Sequence, residues 1–202
     1  VESQKSNLEK ENSNLKDNNG LCYTAKLEVL PLGKFKNDGH YFEGDILREP
    51  QPKVMLSGVY SFNNKARKTQ GQLGDLLYET KDVTSVFLDL IAKYRGWAFM
   101  STYMNRNSTN PITTNPTEST LKRAVFNGYG SDIQCSYIFP SKYEIIGRYS
   151  LQKISKEVSL YYPNINQFSF GVNKYIWEHA LKLQAEFTTE KQEFFDGTNK
   201  QN

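Results

Sequence analysis

Three things are scarce in this sequence, and each scarcity removes a class of protein. No stretch of it approaches the ~20 consecutive apolar residues of a membrane-crossing helix, so none of these residues crosses a bilayer in that form. There are two cysteines and two histidines, too few and too scattered for a disulfide scaffold or a Cys/His metal framework. Cys22 and Cys135 fall on opposite faces of the strands described below, which argues against a disulfide between them. No metal or other cofactor is expected. Charge of one sign is scarce as well. With 25 basic and 22 acidic residues and a net charge of +3, the chain is too balanced for a nucleic-acid partner.

Aliphatic content is low too. Hydrophobic residues make up 38% of the chain, while Tyr and Phe number 13 and 12. That balance suits either a polar secreted β protein or a transmembrane barrel with a wet lumen. The opening "VESQKSNLEKENSNLKDNNG" is polar throughout and carries no signal-peptide pattern. Either a leader has been removed or the polypeptide begins further upstream. The Asn-Leu repeat within it has too few apolar positions to pack, so residues 1–20 read as a mobile polar loop.

What the sequence does contain is alternation. Eight segments alternate apolar and polar residues with turn chemistry between them: residues 21–30, 53–62, 83–95, 97–106, 125–139, 143–151, 167–175 and 180–189. The meander therefore spans 21–189, and 190–202 is a polar tail. The connections at Arg95-Gly96, 140–142 and 176–179 are tight, whereas those at 63–82, 107–124 and 152–166 are long and polar. Outer-membrane barrels alternate in this way, with short periplasmic turns and long extracellular loops. Only 31–52 breaks the pattern, being long where a short turn is due.

The faces sort by residue parity. Val86, Leu88, Leu90, Ala92 and Tyr94 lie on one side of their strand and Ser85, Asp89 and Lys93 on the other. Trp97, Phe99 and Tyr103 continue the apolar face, and Thr102 and Arg106 the polar one. On the polar side Lys26, Lys93, Arg95, Arg106, Arg148 and Lys182 meet Glu28, Asp89, Asp132, Glu144 and Glu186. The expected fold is an all-β antiparallel transmembrane barrel with its polar face toward a water-filled lumen. A soluble sandwich with the faces exchanged is the alternative.

The ordered segments "GLCYTAKLEVLPLGKF", "YFEGDILREPQPKVMLSGVYSFNNKARKTQGQLGD", "KYRGWAFMSTYMNR" and "YEIIGRYSL" resemble the phosphate-selective porin O and P family, in particular its Bacteroidetes-type members. The resemblance runs from about Gly20 to Thr189. It implies a sixteen-stranded, typically homotrimeric porin of the bacterial outer membrane, in contact with outer-membrane lipid, of which these residues form the C-terminal half. The chain then begins in an extracellular loop and ends before the last strand. A self-contained eight-stranded barrel is the rival, although its interior is only wide enough to be filled by side chains.

The resemblance also implies lumen cations that draw small anions such as phosphate to a constriction. The candidates are Lys26, Lys93, Arg106, Arg148 and Lys182, with Lys65, Arg67 and Lys68 in the loop "NNKARKTQG" at the pore mouth. The carboxylates interspersed among them weaken the far field, so the expected function is passive diffusion of small solutes with at most a slight anion preference. An occluded or scaffolding barrel in a cell-envelope complex is the alternative. No enzyme is expected. His40 and His179 read as exposed loop residues without a nucleophile beside them, and "NGYGSD" sits within a strand instead of cradling phosphate before a helix.

Overall fold

The computed structural model describes residues 20–178 and 180–201. The polar leader and His179 lie outside them. Each of the eight expected strands is present: β1 (Cys22–Val29), β2 (Lys53–Lys68), β3 (Leu76–Tyr94), β4 (Trp97–Asn107), β7 (Gly128–Ile138), β8 (Tyr143–Ile154), β9 (Asn164–Trp177) and β10 (Leu181–Glu193). Between β4 and β7 stands a small hairpin, β5 (Ile112–Thr114) with β6 (Lys122–Ala124), and a three-residue β11 (Asn199–Gln201) follows β10. The long strands form one antiparallel meander in chain order, with β11 at its end. It is an open sheet: among the described residues no ladder joins β1 to β10 or β11. A self-closed eight-stranded barrel is thereby corrected, and among the described residues no second large sheet covers this one as a sandwich would require.

The turns follow from local chemistry. Arg95 and Gly96 both adopt positive φ, 47° and 94°, the two-residue geometry whose twist matches the flanking strands. The other short connections, β7 to β8 and β9 to β10, lie at the same end of the sheet. The opposite end carries the longer ones, but they are shorter than the sequence suggests. Strands β2 and β3 continue to Lys68 and back from Leu76, leaving only 69–75 between them. A register shift between Asn63 and Ala66 accompanies this extension. Its β2 part is polar apart from Ala66, and in β3 Leu76, Leu77 and Tyr78 follow one another, so the alternation that marks a strand is missing there.

The loops at this end are stitched together. Ala66, Leu77, Val83 and Val125 form a small core. Phe126 donates its N–H to the Thr69 carbonyl at 2.8 Å, and the Arg123 guanidinium reaches the Leu76 carbonyl. The Tyr162 hydroxyl donates to the Ala124 carbonyl at 2.8 Å. Burial pushes that phenol up from its ordinary pKa, which keeps it a donor.

Register carries each face across the whole sheet. One face collects Leu27, Leu56, Leu88, Phe99, Ile133, Ile145, Phe170, Leu183 and Phe187, all solvent-exposed. Leu27 is 71% exposed, Leu183 64% and Phe187 70%. Aromatic residues flank this band. Tyr94, Trp97, Tyr137 and Tyr143 stand toward the short-turn end, and Tyr23, Tyr60, Tyr103 and Tyr129 toward the other. Trp97 and Tyr137 meet ring to ring at 4.9 Å. The other face is polar. Cys22 and Cys135 are both free thiols, on the polar and apolar faces respectively.

Candidate functional site: the polar face and the segment that crosses it

The connection between β1 and β2 is the feature that a plain meander does not need. Instead of turning back, residues 30–52 cross the polar face at the short-turn end, reaching from the β1–β2 edge to the β9–β10 turn. We call this segment the strap. Its path uses left-handed backbone at Asn37, Asp38, Gly44 and Arg48 (φ 47°, 52°, 61° and 47°). Gly44 is required there twice over. A Cβ at this position would lie 2.6 Å from Glu144 Oε1 and 2.8 Å from Ile138 Cδ1, and positive φ disfavours any side chain.

Apolar contact seats one part of the strap. Phe35 packs on Met55 and Ile91 of the polar face, with Leu30 and Met100 against them. Charged groups lock the rest. Lys93, only 4% exposed, donates its ammonium to the carbonyls of Gly39 (2.7 Å), Phe42 (2.8 Å) and Gly44. An ammonium has three protons, and here each has a carbonyl. Asp45 accepts from the Gly96 N–H at 2.7 Å, so the strap is bonded to the β3–β4 turn. The Arg48 guanidinium donates to the Ile138 carbonyl, and Glu49 offers its own carbonyl to the Arg95 N–H at 2.9 Å. The Glu49 carboxylate takes the Lys36 N–H at 2.6 Å.

Glu144, fully buried, accepts from Asn173 Nδ2 at 2.8 Å and from the Tyr175 hydroxyl at 2.7 Å. These bonds offset the cost of taking a carboxylate out of water. Between the strap and Trp177, Glu178 and Ala180 a cavity of about 470 Å³ remains.

The sequence-derived pore cations therefore meet different fates. Lys93 holds the strap. Lys26 pairs with Glu28 at 2.8 Å, Arg148 with Asp132 at 2.7 Å and Lys182 with Glu43 of the strap at 3.6 Å. Arg106 donates to the Ser85 hydroxyl at 3.4 Å. Lys65, Arg67 and Lys68 lie in β2 and not in a loop, at the far end of the sheet from the strap. No common anion cradle assembles from these eight residues. Arg95, counted on the polar face, sits in the turn with its guanidinium 5.1 Å from the Tyr94 ring.

His40 corrects the expectation of an exposed loop histidine. It is buried, 3.6 Å from Glu28 and 4.0 Å ring to ring from Tyr41. Asp45, Arg48 and Glu49 escaped sequence reasoning altogether. Their one signal was the length of 31–52 at a position where a short turn was due. No family model, curated protein or solved structure matches the chain.

Proposed function

We propose that the chain forms half the wall of a bacterial outer-membrane porin, with its polar face lining a water-filled channel for passive diffusion of small solutes. The observation that carries this reading is the apolar face. It is broad and exposed, and among the described residues nothing packs on it from Leu27 in β1 to Phe187 in β10. In water a patch of that extent is an aggregation surface, whereas a bilayer is its natural solvent. The flanking aromatic rows suit the two interfaces.

Strand length supports the same reading, since β4, β7 and β8 have 11, 11 and 12 residues, close to the roughly 9–11 that cross a bilayer when tilted. Hydrocarbon leaves no water for unpaired strand edges. The open edges of β1 and β10 therefore call for further strands, as in the sixteen-stranded trimeric porin that the resemblance implies. Because the basic side chains of the polar face are largely paired or buried, the channel we propose is a general one, without a dedicated phosphate site.

The strap favours a second reading, an occluded or scaffolding barrel, because it covers part of the polar face. Planar-bilayer recording of the full-length parent separates the two. Discrete conductance steps with weak ion selectivity are expected of the diffusion channel. Verified insertion without steps would establish the occluded barrel. A protein that stays monomeric in water without detergent would overturn both.

A further inference from the structure

Beside the strap, two consecutive rows of polar-face residues cross the sheet, the first over five strands and the second over six. One runs Phe87, Met104, Gly130, Gln152, Ile165; the next runs Asp89, Thr102, Asp132, Ser150, Gln167, Glu190. Gly130 stands between Met104 and Gln152 and contributes no side chain. A hollow of about 420 Å³ opens there. Its floor is apolar, with Phe87, Met104, Phe126 and Ile165, although the surrounding face is polar. Its rim carries planar hydrogen-bonding groups: the carboxylates of Asp132 and Glu190 and the amides of Gln152 and Gln167.

We infer that this hollow is a binding site for a neutral oligosaccharide. The assignment deepens the channel reading, since it places the ligand on the lumen face. The chemistry excludes other solutes in turn. An anion meets two rim carboxylates, while the nearby Arg148 is already bonded to Asp132 at 2.7 Å. A metal ion would find only the two rim carboxylates, and among the described residues no three His, Cys, Asp or Glu side chains are grouped to hold one. An acyl chain would leave the rim's polar groups without partners.

A pyranose ring fits both halves of the site. Its C–H face lies on Phe87 and Met104, and its hydroxyls, each donor and acceptor, meet planar acceptors. Those acceptors are held in place. Gln152 commits an N–H to the Pro163 carbonyl at 3.2 Å and Gln167 one to Glu190 at 3.4 Å, so both amides are oriented. Ser150 donates to Asp132, and Gln192 donates to Glu190 at 2.6 Å. Phe126 is fixed edge-on by Tyr162, with ring centres 5.0 Å apart. A ligand therefore meets a preorganised surface.

The test is titration calorimetry of the detergent-solubilised full-length parent with tri- to hexasaccharides of glucose, galactose, mannose and N-acetylglucosamine, alongside conductance. At least one series is expected to bind saturably. Phe87→Ala should weaken it at least tenfold, and Gly130→Leu should abolish it. The φ of Gly130 is not left-handed, and a Cβ there would lie 3.3 Å from the Leu151 carbonyl, which a shift of a few tenths of an ångström relieves. Heat-modifiable gel migration checks that each variant is folded. Conductance without any saccharide binding, or binding that both folded variants retain, would overturn the site and leave the channel standing. Saturable binding without conductance would keep the site and overturn the diffusion channel.

Discussion

Leu88→Arg is expected to destabilise the lipid-embedded protein by about 2–4 kcal/mol, the cost of a cation near the bilayer midplane. Leu88 lies in the middle of the apolar band, paired with Gly58 on one side and Tyr103 on the other. It is half exposed, and no described residue covers it. If that face met water, the same change would fall within about ±0.5 kcal/mol, as surface substitutions usually do. Urea titration of refolding into lipid vesicles measures the difference. The neighbouring Asp89→Leu is the control, because Asp89 is on the opposite face and accepts from the Thr102 hydroxyl at 2.9 Å. A harmless Leu88→Arg together with an aggregating Asp89→Leu would exchange the two faces.

Lys93→Met is expected to cost about 3–5 kcal/mol, the range for breaking a buried, hydrogen-bonded charge assembly by removing one partner. The methionine nearly conserves volume, so the loss is chemical. Three strap carbonyls lose their donor, and the buried Asp45, Glu49 and Glu144 lose the cation beside them. The strap should then detach from the polar face. In the folded protein in detergent, trypsin should cut after Lys36 and Arg48 in the variant while the parent resists. Conductance should rise if the strap narrows the channel. Lys26→Met, which removes an exposed pair, should change little by comparison. A variant as stable and as protease-resistant as the parent would show that Lys93 does not hold the strap.

The sequence revealed most where one face of a strand is apolar and the other is not. From Trp97 to Arg106 the alternation is regular enough to assign the strand, its faces and the Arg95-Gly96 turn, and the ladder between β3 and β4 has that register. Where both faces are polar, the period vanishes with the contrast that creates it. So it does along 63–68 of β2, polar apart from Ala66, while Leu76, Leu77 and Tyr78 of β3 run consecutively, and Lys65, Arg67 and Lys68 carry no strand signal.

The strap was hidden for a different reason. Parity tells which face Lys93 lies on, but not what covers that face, and a lysine on a polar face reads as solvent-exposed. Its partners are backbone carbonyls, which every residue has, so no side-chain type announces them. His40 is hidden in the same way, because its burial comes from Glu28 of β1 and the strap's own Phe35 and Tyr41 rings and not from a strand period. Phe87, Met104 and Ile165 share the parity of the charged residues, so alternation alone does not set them apart. They become informative only once the register brings them to one hollow around Gly130.

The most direct test of the central claim uses the two native cysteines. They are exposed on opposite faces of the same sheet, Cys22 beside Thr24 and Ser61 on the polar side and Cys135 opposite Phe99 on the apolar side. In lipid vesicles, the Cys135→Ser protein should label through Cys22 with a water-soluble maleimide. The Cys22→Ser protein should leave Cys135 unlabelled until it is unfolded in urea. Cys135 reacting in the folded, vesicle-bound protein as fast as Cys22 would mean that the apolar face meets water, and the membrane reading would fail.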